Sequence, residues 1–229
     1  MKLIKSVLFA LLATIGAASS ASVLVVKDTS VTDTIPGLTG YSTTGADMTG
    51  MRVTATFADG FTETLSWAGT GGSGGGVTGT GWGLSVAGDT YSASWLFNIG
   101  AGLGQLVSFK LDASGPGQVT LFDTLFDGDP GTDDSASGVD FELLNCSSCD
   151  ATAAYSNVVA VGGNAAVGDN FHTLLVTFNN ATGPRTNFTF SQDTDNDSRI
   201  LVGFVPEPGS VALMALAMLG MGAALRRRS

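Results

Sequence analysis

Histidine and cysteine are nearly absent: the 229 residues include one histidine, His172, and two cysteines, Cys146 and Cys149. A structural zinc centre of nitrogen and sulfur needs four ligands, and three residues cannot complete one. Basic residues are also scarce, with ten Lys and Arg against twenty Asp and Glu. Five of the ten lie at the two ends of the chain: Lys2, Lys5, Arg226, Arg227 and Arg228. Between the ends, five basic and nineteen acidic residues leave a net charge near −14. Such a surface repels nucleic acid and anionic membranes, so nucleic acid is not an expected partner, and contact with the inner membrane before processing falls to the C-terminal apolar run. Glutamate is limited to Glu63, Glu142 and Glu207, and no long amphipathic helical pattern occurs. Glycine, threonine and serine abound while 44% of residues are hydrophobic, which favours a secreted all-β domain over a disordered chain.

The two ends stand apart from the fold. Lys2 and Lys5 precede the apolar run Val7–Ala18 and the small residues Ser19-Ser20-Ala21. These are the parts of a secretory signal, predicted to be cut after Ala21, and the run is too short for a membrane anchor. At the other end, Val211–Leu225 is unbroken apolar sequence, about 17 residues long if Gly209 and Ser210 are included, the lower limit for a spanning helix. Arg226, Arg227 and Arg228 would hold its end on the cytoplasmic side. Pro206 and Pro208 keep the segment before it extended and accessible to a processing enzyme.

Pro206-Glu207-Pro208, the apolar helix and the terminal arginines together resemble the PEP-CTERM sorting signal of Gram-negative bacteria. The resemblance covers the last 25 residues or so. It implies that Pro206, Glu207 and Pro208 form the recognition tripeptide for exosortase, a membrane cysteine peptidase of strains that make exopolysaccharide. Implied partners are therefore the export machinery, exosortase and exopolysaccharide. The implied route passes through the inner membrane, with the domain in the periplasm, to the cell surface or the extracellular space. A looser likeness to uncharacterised PEP-CTERM proteins runs through Thr120–Gly128 and Ser135–Phe141 and implies no chemistry.

The organisation expected is a signal peptide at 1–21, a domain at 22–204 and the sorting signal at 205–229. Period-2 alternation marks Met51–Phe57 and Phe61–Trp67 as strands. A three-residue loop with Gly60 left-handed would pair Phe57 with Phe61, Val53 with Leu65 and Met51 with Trp67, keeping both apolar sets on one face. The same register sets Thr54 against Thr64 and Thr56 against Thr62, and leaves Glu63 on the apolar face opposite Ala55. Further strands are predicted at Tyr91–Ile99, Leu106–Leu111, Val119–Phe126, Val139–Leu144, Asn157–Val161, Phe171–Phe178, Thr186–Phe190 and Arg199–Val205. About ten short strands read as a β-sandwich, the jelly roll being one form of it. Gly69–Gly83 reads as a flexible low-complexity loop.

Few residues promise chemistry. Gly71-Gly72-Ser73-Gly74-Gly75 fits G-x-S-x-G only because a glycine tract fits it by chance. His172 has no partner evident in the sequence. A sandwich glycosidase would need two facing carboxylates, with Glu63 the best single candidate, though a paired or edge-exposed Glu63 is the plainer reading. Cys146-Ser-Ser-Cys149 in an oxidising compartment reads as a small structural disulfide. The clusters Asp127, Asp129, Asp133, Asp134 and Asp193, Asp195, Asp197 read as solvated turns, with weak calcium binding as the functional alternative. The function expected is thus a non-catalytic envelope or matrix protein without a firm cofactor. A carbohydrate-active enzyme is one alternative, and a lectin-like module using Trp82 or Trp95 as a sugar platform is another.

Overall fold

The computed structural model describes residues 21–39, 42–115, 118–124, 138–146, 148–179 and 183–198. The leader, the predicted strand Arg199–Val205, the sorting tail and Asp127, Asp129, Asp133 and Asp134 lie outside these residues. The strands are β1 Ser22–Lys27, β2 Val31–Ile35, β3 Leu38–Thr39, β4 Arg52–Phe57, β5 Thr62–Ser66, β6 Ala68–Gly71, β7 Gly74–Thr78 and β8 Trp82–Ala87. There follow β9 Trp95–Ile99, β10 Leu106–Asp112, β11 Thr120–Asp123, β12 Glu142–Leu143, β13 Asp150–Val161, β14 Asn170–Phe178, β15 Phe188–Ser191 and β16 Asp193–Asp197. The one described helix is a 3-10 turn, Gly45–Met48.

The hairpin β4–β5 takes the register that keeps its apolar residues on one face. Val53 faces Leu65, Ala55 faces Glu63 and Thr56 faces Thr62. Phe57 N–H donates to Phe61 O at 2.9 Å, Trp67 N–H donates to Met51 O at 2.7 Å, and Gly60 has φ 87°. On the outer face the hydroxyls of Thr54 and Thr64 meet at 2.8 Å. A one-residue slip would have turned Phe57 and Val53 to water, so burial decides the register.

Two sheets are built from these strands. The smaller runs β12-β15-β9-β8-β7-β6. The larger is organised on the long antiparallel hairpin β13–β14. Along one edge of β13 lie β1 and then β2, both parallel to it. Along the opposite edge of β14 lie β10 and then β11. The sheet therefore forks: β10 leads to β4 and β5, while β11 leads to β16 and β3.

The second branch must close on itself. β2 pairs at one edge and β3 at the other, yet only Pro36 and Gly37 separate them. Three Cα–Cα steps reach at most about 11 Å. A flat sheet would hold those edges five strand spacings apart, about 24 Å. This part of the sheet is therefore rolled into a small barrel, with β2–β3 as one kinked strand. Its filling is a separate cluster of Ile35, Leu121, Val159 and Val161, with Leu38 packed against it.

The main core lies between the smaller sheet and the part of the larger sheet formed by the β13–β14 hairpin and the first branch. Trp82, Leu84, Trp95, Phe97, Phe188 and Phe190 from one side meet Val53, Phe57, Phe109, Leu111, Leu174 and Val176 from the other. Phe97 stacks on Phe188 at 5.2 Å and Trp95 on Phe190 at 5.5 Å, while Phe109 touches both phenylalanine columns. Each such side chain contributes about 2–3 kcal/mol on burial.

The glycine tract is not a loop. It forms β6, β7 and the approach to β8, and Gly71–Gly75 is the β6–β7 hairpin rather than a strand-to-helix elbow. The reason is backbone contact. A Cβ at Gly75 would lie 1.9 Å from Gly45 O and 2.4 Å from Trp67 Nε1. Only glycine lets the 3-10 turn settle directly on β7 with Trp67 beneath, its indole N–H donating to Gly45 O at 2.7 Å.

Candidate functional site

Glu63 projects from the edge strand β5 toward the smaller sheet. Its carboxylate accepts from Thr80 N–H at 2.9 Å, Thr80 O–H at 3.2 Å and Trp82 Nε1–H at 2.7 Å. The Thr80 amide, opposed by desolvation and helped by Trp82, holds its carboxyl below the usual glutamate range. A carboxylate kept ionised by three donors is a poor proton donor, so the geometry suits a clamp on the β7–β8 turn better than an acid catalyst. Glu63 is half-buried and its partners are neutral donors rather than a cation.

Above that clamp, the smaller sheet presents a shallow groove to solvent. Its volume is about 450 Å³, and Thr78, Gly83, Ser85, Asn98 and Asn187 line it. Val77, Leu84 and Ile99 turn inward, which by period-2 alternation sends Thr78, Gly83, Ser85 and Asn98 outward. Thr78 pairs with Gly83 and Gly83 with Asn98, so the row crosses β7, β8 and β9 with a bare backbone at its centre. Asn187 closes the row, its Oδ1 accepting from Ile99 N–H at 2.8 Å. Sequence reading missed this surface, although the alternation in Trp82-Gly-Leu-Ser-Val-Ala signals it.

The other candidate residues are dispersed. His172 is buried on β14, and its Nε2 lies 3.3 Å from Asp33 Oδ2. Trp82 is 3% exposed and Trp95 is 0% exposed, so neither is a sugar platform; both belong to the core. Cys146 and Cys149 are joined by a disulfide at the entry to β13, with Cα atoms 5.3 Å apart.

Asp193, Asp195 and Asp197 are not in a turn. They occupy β16, a strand paired on both edges, and all three are buried. Asp195 faces Leu121 and Asp197 faces Leu38, which turns both toward the barrel filling. Asp193 Oδ1 accepts from Thr90 Oγ1 at 3.0 Å and from Thr194 N–H at 2.8 Å. Burial pushes its carboxyl up to about 6, against the lowering effect of those donors, and Asp89 adds to the rise. Successive carboxylates on a strand project about 7 Å apart, unlike the wrapped ligands of a calcium loop. Among the described residues, no three of His, Cys, Asp and Glu are grouped to hold a metal ion.

The decisive observation lies in the tail. Residues 204–228 match the family of the PEP-CTERM protein-sorting motif. The tail is a PEP-CTERM sorting signal. It marks an exported protein and implies exosortase as the processing enzyme. Neither the curated proteins nor the solved structures contain a match to the chain. Among the described residues, no helix is long and apolar enough to cross a membrane.

Proposed function

We propose that this is a non-catalytic cell-envelope or matrix protein, delivered by its PEP-CTERM signal, processed by exosortase and associated with exopolysaccharide. The match of residues 204–228 to the sorting motif carries this reading. The sandwich supports it as cargo: its best carboxylate candidate, Glu63, is engaged as a clamp. Pro206, Glu207 and Pro208 then serve as the recognition tripeptide, and Arg226, Arg227 and Arg228 keep the terminus cytoplasmic until cleavage. The test compares intact mass in surface, periplasmic and membrane fractions from cells with and without exosortase. The surface form should lack Arg226–Arg228 and most of the apolar run, and only in cells with the enzyme. Full-length protein at the surface of both strains would overturn the reading.

A further inference from the structure

We propose that the groove across β7, β8 and β9 binds a neutral saccharide chain, with Gly83 as its floor and Thr78, Ser85, Asn98 and Asn187 as its polar walls. The inference deepens the proposed exopolysaccharide association and gives it an address.

Three features carry it. The first is charge: among the described residues that line the groove none has an ionisable side chain, in a domain whose net charge is near −14. An anionic ligand meets a repelling field with no cation to receive it, whereas a neutral one is indifferent. The second is donor chemistry. Hydroxyls and carboxamides each donate and accept, as sugar hydroxyls do, so they match a polyol without requiring one protonation state. The third is shape. Gly83 does not have a positive φ, and an added Cβ would meet the backbone oxygen of Val77 at 3.1 Å, tighter than ordinary van der Waals contact. Without a side chain, Gly83 is buried as a recessed floor, and the more exposed Thr78, Ser85, Asn98 and Asn187 stand around it as walls against which a pyranose ring would rest.

A peptide added as a strand is excluded at this place, because β7, β8 and β9 are each paired on both edges. The volume, about 450 Å³, falls within the range of small-molecule sites.

The test uses full-length protein in a mild detergent, titrated with neutral hexasaccharides of glucose, mannose and galactose, and with hexagalacturonate as the charged control. Side-chain amide NMR signals of Asn98 and Asn187 report contact, and calorimetry reports affinity. At least one neutral sugar should shift the Asn98 amide, with affinity little changed by salt. Asn98→Ala should weaken binding about tenfold, the effect of one lost hydrogen bond. Gly83→Thr should abolish it, with circular dichroism to confirm folding. If no neutral sugar shifts Asn98, or hexagalacturonate binds best, or Asn98→Ala binds as before, the inference is wrong. The sorting reading is judged separately: a protein correctly sorted yet blind to every sugar loses only this proposal. A protein that binds sugar but is not sorted loses only the other.

Discussion

The indole N–H of Trp82 donates to the carboxylate of Glu63 across 2.7 Å, joining the edge strand of one sheet to the first strand residue after a turn in the other. Both groups need the contact: the indole would otherwise be a buried donor without an acceptor, and the carboxylate sits on an apolar face. Glu63→Ala should therefore lower the melting temperature more than Glu63→Gln, which keeps one acceptor oxygen. The carboxyl is held below its ordinary value, so this contribution is present above the unfolded pKa and is lost as pH falls through the folded one. Thermal melts of the two variants at neutral and acid pH check both statements. Equal melting temperatures for wild type and Glu63→Ala would dismiss the clamp.

Gly75→Ala should destabilise the fold. Its Cβ would press on Gly45 O and Trp67 Nε1, and both are held by the core. Overpacking of this kind costs about 1–3 kcal/mol, and backbone against backbone belongs at the upper end. Gly72→Ala, in the neighbouring turn, would find nothing within 4 Å, but its φ of 57° still costs about 1 kcal/mol. Urea titration should rank the two variants in that order. A Gly75→Ala protein as stable as Gly72→Ala would mean that the 3-10 turn does not rest on β7.

These glycines also show where the sequence stops being legible. The β4–β5 hairpin could be read residue by residue because Val53, Phe57, Leu65 and Trp67 must all turn one way. Glu63 opposite Ala55 followed from that alone. Gly69–Gly83 carries no such pattern, since a residue without a side chain has no face to bury. Its strands exist because Gly45 and Trp67 dock on them from elsewhere in the chain. Asp193-Thr-Asp-Asn-Asp197 reads as a turn by composition, but β11 and β3 pair with it on both sides and tertiary contact overrides propensity. The groove row was legible only in part. Gly83, Ser85 and Asn98 sit at outward positions that alternation gives, but their alignment with Thr78 depends on strand order.

Asp193 gives a pH signature of opposite sign to that of Glu63. With its folded pKa raised to about 6 against an ordinary 3.8, the native state holds the proton more tightly than the unfolded chain. Its contribution is complete below pH 4 or so, falls as pH rises through the interval, and is gone above about pH 6. Two pK units correspond to about 3 kcal/mol. Asp112 acts the other way: burial raises its carboxyl, but Ser114 and Lys110 outweigh that and bring it to about 2, so its stabilisation is lost only in stronger acid. Between pH 4 and 6 the slope due to Asp193 should vanish in Asp193→Asn. Denaturation curves that keep the wild-type slope in that variant would assign the dependence elsewhere.

The disulfide between Cys146 and Cys149 sets the last expectation. Ser22 N–H donates to Cys149 O at 3.2 Å and Cys149 N–H to Cys146 O at 3.0 Å, so the bridged turn anchors the starts of both β1 and β13. Cys149 is 1% exposed. Neither cysteine of the exported protein should react with a thiol reagent before reduction. Closing so short a loop removes little chain entropy, about 2 kcal/mol by the loop-length relation, well below the roughly 4–5 kcal/mol of a 100-residue loop. Reduction should therefore lower the denaturation midpoint modestly and leave the sandwich folded, since the aromatic core does not depend on the bridge. Unfolding on reduction alone would show instead that the β1–β13 edge is held chiefly by this bond. Labelling of both thiols in the untreated exported protein would show that the bridge does not form there.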